Sequence, residues 1–362
     1  MSEPHLGPAK KLRGRAPRFA RSLVRVAVSG AILGGLASRL DWGQVAAAFR
    51  EMRWDYWLAA LVLFLVTQAV SALRWQWLAR PLGFRDSLGR FAALYFVGMF
   101  FNLLLPTSIG GDAVRAVYLN AGSGRRTAAL LSVLLDRLSG LLVLLGLACV
   151  AAAAYPLSLP LWVGLAVGGV AGGAAIFLAV LPASTKLLAR LDTTGTGRRH
   201  RLLAKVRHIA VSLHEAFALF ASRPRAVVAS AILSLLVQVT GVIQVWLIGR
   251  ALGLEVPIGV FGVAVPMVAL LTLLPVSVSG MGVREAGMVL FLQPAGVAVG
   301  PAVTVAFLWF CVQTAGGLCG AIVYLFIGSA KRGREVAKEV RHDDALRHRP
   351  DQGRAGQHRA AA

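Results

Sequence analysis

The chain has 362 residues, of which 57% are hydrophobic and 15% are charged. Soluble domains average roughly 45 to 50% apolar and about 25% charged residues, so an ordinary soluble domain is excluded. The formal net charge of +22 by itself allows nucleic-acid binding. Its distribution argues against that partner, because 31 of the 38 Lys and Arg residues lie in five segments between long uncharged runs, as membrane topology requires. We therefore predict an all-α, polytopic membrane protein.

In chain order, the sequence divides into a basic tail over residues 1–21, an integral membrane domain over 22–329 and a polar tail over 330–362 that is predicted to be disordered. Within the membrane domain, residues 198–221 place apolar side chains on one helical stripe. This pattern predicts an amphipathic helix that either lies on the cytoplasmic leaflet or packs against the spans. Because a bilayer core needs about 20 apolar residues per helix, the uncharged runs predict six full spans: 22–40, 56–73, 127–153, 161–182, 226–249 and 302–327.

The basic segments determine the predicted orientation. Loops rich in Lys and Arg stay in the cytoplasm during insertion, so both termini are predicted to be cytoplasmic in a cell inner membrane. Residues 91–120 then begin and end inside, whereas residues 256–293 begin and end outside. Each stretch is predicted to be a re-entrant helical hairpin, and the two hairpins enter from opposite faces. An alternative with eight spans requires Arg125 and Arg126 to lie outside.

The two predicted hairpins share a motif. Leu104-Leu-Pro-Thr-Ser-Ile-Gly-Gly-Asp-Ala-Val-Arg115 and Leu273-Leu-Pro-Val-Ser-Val-Ser-Gly-Met-Gly-Val-Arg284 are identical at seven of twelve positions, at a constant offset of 169 residues. We interpret this identity as an internal duplication. Insertion from opposite faces gives the inverted-repeat arrangement of many secondary transporters, in which interrupted segments at matching positions mark the substrate site.

The shared motif predicts a break in each hairpin, because proline removes a backbone donor while Ser and Gly permit a tight turn. The second half-helix then starts near Asp112 and near Gly282, where it presents unpaired N–H groups and a positive dipole end. An arginine within its first turn adds a guanidinium, which together with free amides favours a phosphate or carboxylate. The predicted substrate-binding residues are Arg115, Arg284, Ser108, Ser277, Gly111 and Gly280.

Asp136 and Arg137 interrupt the predicted span 127–153. Adjacent residues on a helix point about 100° apart, so these two side chains do not pair well with each other. We expect each to pair with a hairpin residue: Asp136 with Arg115 or Arg284, and Arg137 with Asp112 or Glu285. Purely structural pairing and helix capping by Asp112 are the alternatives to a functional role. The predicted gating or ion-pair residues are Asp112, Asp136, Arg137 and Glu285.

These residues predict a lipid-binding membrane transporter that moves an anionic or zwitterionic lipid, such as a polyprenyl-phosphate-linked sugar, between leaflets. The sequence has no Gly-x-x-x-x-Gly-Lys-Ser/Thr motif, so ATP is not the predicted driver, and no cofactor or metal is expected. One alternative is a membrane-embedded transferase, or an accessory subunit of one, that acts on a phospholipid or a polyprenyl phosphate. Another is a scaffold for a separate lipid-modifying enzyme.

Residues 106–115 and 274–285, with Asp136-Arg137 between them, resemble the lysylphosphatidylglycerol synthase transmembrane region, a family also described as flippase-like integral membrane proteins. The resemblance covers roughly residues 20–330 and implies transfer of an amino-acylated or glycosylated lipid between leaflets. In bifunctional relatives a soluble C-terminal domain attaches lysine to phosphatidylglycerol. This chain ends about thirty residues after its last predicted span, so we expect the lysyltransferase domain to be absent.

Overall fold

The computed structural model describes residues 50–104, 110–121, 125–154, 222–273 and 280–347, with isolated positions between these ranges. In this part of the chain the regular secondary structure is entirely helical, which confirms the predicted fold class. Short 3₁₀ turns lie at Arg80–Leu82 and Gln293–Ala295. The α-helices of the described part are α1 (Trp54–Ala79), α2 (Leu88–Leu104), α3 (Gly110–Ala121), α4 (Arg126–Ala154), α5 (Pro224–Ala251), α6 (Ile258–Leu273), α7 (Val283–Leu292) and α8 (Val299–Arg347).

Four helical stretches among the described residues are long and apolar enough to cross a membrane. They are Trp54–Leu82, Arg126–Val150, Pro224–Ala251 and Val299–Phe326, with 25 to 29 residues each. At 1.5 Å per residue the shortest measures about 37 Å, which exceeds the roughly 30 Å hydrocarbon core of a bilayer. The chain is therefore a multi-pass membrane protein. Apart from isolated positions, the predicted spans 22–40 and 161–182 lie outside the described residues.

Helices α1 and α5 pack against each other in antiparallel orientation along their length. At one end the backbone N–H of Arg53 donates to the carbonyl of Ala251 at 2.9 Å. In the middle, the hydroxyl oxygens of Thr67 and Thr240 lie 3.0 Å apart in a hydrogen bond. Polar bonds of this kind join membrane helices because lipid offers the hydroxyl groups no alternative partner.

The first predicted hairpin corresponds to α2 and α3, which pack against each other. At the ends of this segment, Arg125 Nη1 donates to the carbonyl oxygen of Gly83 at 3.3 Å. The loop before α2 and the loop before α4 are therefore adjacent. The second predicted hairpin corresponds to α6 and α7, which also pack together. The membrane face from which each pair enters stays a prediction.

The order of helices in the first half of the described chain recurs in the second half. A long helix, two short helices and another long helix form α1 to α4, and the same order forms α5 to α8. The contacts correspond as well: α2 packs on α8 as α6 packs on α4, and α3 packs on α4 as α7 packs on α8. Each half thus contributes one broken pair of helices that packs across the molecule.

The sequence analysis predicted a polar tail at each end of the chain and an amphipathic helix between the spans. Helix α8 continues to Arg347, past residue 330, where the sequence predicted the start of a disordered tail. Residues 348–362 and the basic tail 1–21 lie outside the described residues. The predicted amphipathic helix 198–221 also lies outside them, apart from isolated helical positions.

Candidate functional site

Five charged side chains from α1, α3 and α4 meet beside the break between α2 and α3. We call them the ion cluster, and its members are Arg74, Asp112, Arg115, Asp136 and Arg137. The cluster contains three arginines and two carboxylates, so one positive charge is not balanced within it. Because charged side chains at membrane depth are costly and usually mark a pathway, this surplus is the main electrostatic feature of the described region.

Asp136 lies at the buried side of the ion cluster, and only 1% of its side chain is exposed. Its Oδ1 accepts a hydrogen bond from Arg74 Nε at 2.9 Å, and its Oδ2 lies 3.4 Å from Arg115 Nη1. Arg74 also donates through Nη1 to the hydroxyl of Ser234 on α5 at 3.1 Å. One carboxylate therefore compensates two buried arginines and ties α1, α3, α4 and α5 together.

Arg115 is enclosed, because only 3% of its side chain is exposed. Its Nη2 donates to Asp112 Oδ1 at 2.7 Å, in the i,i+3 geometry that α3 provides. The guanidinium carbon lies 4.9 Å from the ring centre of Trp75 and 4.5 Å from that of Tyr95. Two carboxylates and two ring faces therefore surround Arg115, which leaves little room for a further ligand.

Arg137 is the accessible member of the ion cluster, with 51% of its side chain exposed. Asp112 accepts from its Nε at 2.6 Å and from its Nη2 at 2.9 Å. Arg137 lies near the middle of the span Arg126–Val150, and the exposed side chains of Leu130 and Leu134 precede it on the same helix face. The cluster therefore reaches the protein surface through one guanidinium in apolar surroundings.

The break before α3 differs in detail from the expected arrangement. Helix α3 begins at Gly110, so Arg115 lies in its second turn and not in the first. The N–H of Gly111 donates to Asn102 Oδ1 at 2.9 Å, so it is not a free amide. A Cβ at Gly111 would contact the backbone carbonyl oxygen of Gly98, which means that glycine permits a close approach of α2 and α3. Ser108 lies outside the described residues.

The break before α7 has different chemistry. Glu285 Oε2 accepts from the N–H of Gly282 at 2.6 Å, so the carboxylate satisfies a donor at the helix start. Gly280 has a φ of 77°, a left-handed conformation that favours glycine at this turn. Arg284 is 7% exposed and lies 5.5 Å from the ring centres of Trp309 and Phe310. The buried hydroxyl of Ser277 has no hydrogen-bond partner among the described residues.

The two arginines of the repeated motif therefore contact unlike partners on corresponding helices. Arg115 packs against the Asp136 region of α4, whereas Arg284 packs against Trp309 and Phe310 of α8. The structure brings Arg115 together with the predicted residues of α3 and α4, but it places Arg284 in an aromatic environment. The two halves of the molecule share an architecture and differ in the chemistry at their breaks.

Sequence reasoning missed several residues that build this site. The predicted span 56–73 ends just before Arg74, yet α1 continues to Ala79 and buries this arginine. The signal for this continuation was the apolar periodicity of Ala72, Trp75 and Ala79, which are all buried. The other contributors that the sequence analysis did not single out are Trp75, Tyr95, Asn102, Ser234, Trp309 and Phe310.

Trp75 shows how neighbouring elements hold the ion cluster in place. Its indole Nε1 donates to the hydroxyl of Ser132 on α4 at 3.2 Å. Its ring packs edge-to-face on Phe91 of α2, with centroids 4.8 Å apart. The ring face that Arg115 contacts is therefore fixed by three helices. Within the described residues, no group of His, Cys, Asp and Glu side chains is suited to hold a metal ion.

The fold and this cluster define a helical, multi-pass membrane protein with paired broken helices and a charged site at membrane depth. A family model described as the lysylphosphatidylglycerol synthase TM region matches residues 22–320. The chain belongs to this family, which relates it to lipid metabolism. A comparison with curated proteins finds no similar sequence.

Proposed function

We propose that this protein binds a lipid with an anionic headgroup and moves it between the two leaflets, as a flippase-like transporter. The observation that carries the proposal is the half-exposed guanidinium of Arg137 in an ion cluster with one surplus positive charge, near the middle of a span. An arginine at such a depth is costly unless water or an anionic group solvates it. Asp112 supplies part of that solvation, and in the proposal a phosphate headgroup supplies the rest.

The contacts within the cluster distinguish its arginines. The guanidinium of Arg115 is enclosed by carboxylates and rings, so its role in the proposal is to position Asp112. Asp112 engages Nε and Nη2 of Arg137, which leaves Nη1 for a headgroup oxygen. The proposed contact is a charge-assisted hydrogen bond between this group and the lipid phosphate. Binding through free helix-start amides is less favoured, because Asn102 and Glu285 engage those of Gly111 and Gly282.

The surroundings of Arg137 suit a lipid better than a soluble anion. Leu130 and Leu134 expose apolar side chains on the same face of α4, so acyl chains have a surface to follow while the headgroup contacts the guanidinium. A soluble anion would gain nothing from this apolar surface. The proposed substrate therefore keeps its tails in the bilayer during transfer.

Alternating access is the proposed mechanism. The recurrence of the helix order and of the contacts between α1 to α4 and α5 to α8 supports an inverted repeat. In such transporters one repeat moves against the other around a fixed site near the membrane midplane. The ion cluster would occupy this place in the first half, with Arg284 and its aromatic neighbours at the corresponding place in the second half.

The test is leaflet exchange of fluorescent phosphatidylglycerol in vesicles that contain only the purified chain. We expect Arg137→Gln to slow exchange at least about tenfold, because a hydrogen bond between charged groups contributes about 1.5 to 3 kcal/mol. Arg53→Gln is the matched control, since Arg53 is exposed and pairs with Asp55 at the start of α1. It should exchange lipid at the rate of the unaltered chain.

Two results would contradict the proposal in different ways. Unchanged exchange by the Arg137→Gln variant would reject the ion cluster as the headgroup site. Absence of exchange by the unaltered chain would reject transport itself and favour the hypothesis that the protein is a scaffold for a separate lipid-modifying enzyme. Asp136 gives little support to the transferase hypothesis. Two arginines bind its carboxylate, so Asp136 is not placed to act as a general base.

A further inference from the structure

A second positively charged region lies between the end of α1 and the start of α5, and it shares no residue with the ion cluster. It is a cavity of about 440 Å³, within the range of roughly 300 to 1,000 Å³ that is typical of ligand pockets. Its lining includes three arginines, Arg80, Arg223 and Arg225, together with the ring of Trp77 and the buried Ala226. We call it the basic cavity.

The basic cavity lies where two membrane-spanning helices reach the same surface. Arg80 directly follows the last residue of α1, and Arg223 directly precedes the first residue of α5. Because α1 and α5 run antiparallel and pack along their length, these two ends are neighbours. Arginine and tryptophan at the end of a span occupy the level of the lipid headgroups.

The part of the lining that the structure describes includes no Asp or Glu, so the positive charge of the basic cavity is not compensated there. Among the described residues, Arg80, Arg223 and Arg225 form no ion pair. The guanidinium of Arg80 lies 5.5 Å from the ring centre of Trp77, which orients it at one wall. Three arginines line one concave space, and a bound anion would balance their positive charge.

An apolar surface continues from the basic cavity toward the middle of the membrane. Val228 and Ile232 follow Arg225 on one face of α5, at the i+3 and i+7 positions, and both are exposed. A molecule with a phosphate at one end and an acyl chain at the other matches this sequence of surfaces. A free phosphate matches only the charged part.

We infer that the basic cavity binds the phosphate-bearing headgroup of an anionic phospholipid. The headgroup lies among Arg80, Arg223 and Arg225, and an acyl chain follows Val228 and Ile232. No member of the ion cluster lines the cavity, so this binding does not depend on the proposed transport. It holds whether or not the protein exchanges lipids between leaflets.

The experiment compares the full chain with two charge-matched variants, Arg223→Gln/Arg225→Gln and Arg85→Gln/Arg126→Gln. The second pair removes two exposed arginines that do not line the cavity. Short-chain phosphatidylglycerol, short-chain phosphatidylcholine and inorganic phosphate are titrated separately in detergent, and the thermal unfolding midpoint reports binding. We expect phosphatidylglycerol alone to raise the midpoint of the unaltered chain and of the control.

For the cavity variant we expect an affinity for phosphatidylglycerol that is lower by about thirtyfold, which corresponds to about 1 kcal/mol for each of two arginines near a lipid headgroup. Equal loss in the control variant would overturn the inference, because it would show unspecific surface attraction. Equal stabilisation of the unaltered chain by inorganic phosphate would assign the cavity to a soluble anion and would also overturn it.

A second measurement leaves the basic cavity unaltered and guards against a failure of the cavity variant to fold. The Arg137→Gln variant, which lacks the proposed headgroup contact of the ion cluster, is released from vesicles that contain equal amounts of phosphatidylglycerol and phosphatidylcholine, and retained lipids are identified by native mass spectrometry. We expect phosphatidylglycerol to dominate the retained lipid, and added inorganic phosphate not to displace it. Equal retention of the two lipids would contradict a cavity that selects an anionic headgroup, because both lipids carry a phosphate and only phosphatidylglycerol has a net negative charge.

Discussion

At the scale of single residues, the ion cluster depends on how its two carboxylates are shared. Arg74 and Arg115 contact opposite oxygens of Asp136, so one buried negative charge compensates two buried cations. Removing one partner of a buried ion pair costs far more than the pair contributes, because the remaining charge stays desolvated. Asp136 is therefore the residue of the cluster whose loss should affect stability most.

The first prediction concerns Asp136→Asn, which keeps the shape of the side chain and removes its charge. We expect a loss of about 3 to 5 kcal/mol in stability, because the charges of two buried arginines lose their shared partner. The measurement is the thermal unfolding midpoint in detergent, compared at one scan rate.

Asp86→Asn is the control for this prediction, since Asp86 also pairs with an arginine, Arg90, at 2.7 Å, but in a partly exposed i,i+4 geometry. It should cost less than about 1 kcal/mol. Equal midpoints for Asp136→Asn and Asp86→Asn would show that the buried cluster does not hold the helices together.

The sequence identified four of the five members of the ion cluster, but it did not show which of them contributes most to stability. Asp136 and Arg137 were visible because they interrupt an apolar span, and Asp112 and Arg115 because they lie in the repeated motif. Arg74 was hidden, because an arginine at the end of an uncharged run looks the same whether the helix ends there or continues. Only the packing of α1 against α4 shows that it is buried.

At the scale of elements, the broken pair α2 and α3 packs through glycine. The backbone carbonyl of Gly98 occupies the space in which a side chain at Gly111 would lie. Small residues at such contacts let membrane helices approach closely enough for van der Waals contact and polar bonds. Gly98 serves the same contact from the other helix, since a Cβ there would meet Arg115 Cγ at 2.6 Å.

A second prediction follows for Gly111→Ala. We expect this variant to lose about 1 to 3 kcal/mol of stability, because the added methyl group meets a backbone oxygen that has no rotamer to adopt. The readout is the unfolding midpoint, together with the lipid exchange rate. A shift of α3 should also displace Asp112 and slow exchange.

Gly146→Ala on α4 is the matched control for the glycine experiment. A Cβ at this position has no atom within 4 Å, so alanine should leave stability unchanged or raise it by up to about 1 kcal/mol. A Gly111→Ala variant as stable as the Gly146→Ala variant would disprove the close approach of α2 and α3.

At the scale of the whole molecule, the two halves of the described chain have the same helix order and corresponding contacts. The adjacency of Gly83 and Arg125 brings the two ends of the α2–α3 segment to one place. This adjacency supports the re-entrant arrangement over the eight-span alternative, in which a full crossing would separate the two ends by the thickness of the membrane.

A third prediction tests this topology with single cysteines in a chain whose native cysteines, Cys149, Cys311 and Cys319, are replaced by serine. Ser87→Cys and Ala121→Cys flank α2 and α3, and we expect a membrane-impermeant thiol reagent to label both from the cytoplasmic side.

Glu255→Cys and Ala298→Cys flank α6 and α7, and they should be labelled from the opposite side. All four positions are exposed. Labelling of Ser87→Cys and Ala121→Cys from different sides would establish the eight-span topology.

The sequence by itself determined that this is a helical membrane protein, where four of its spans lie and where two hydrophobic segments are interrupted. These features follow from composition, charge distribution and the backbone preferences of Pro and Gly, all of which act over a few neighbouring residues. Tertiary structure alone decided that Arg115 of the ion cluster is enclosed and that Arg137 is accessible at the protein surface. Accessibility depends on side chains far apart in the chain, such as Arg74 and Asp136 at a separation of 62 residues, whose packing no local pattern encodes.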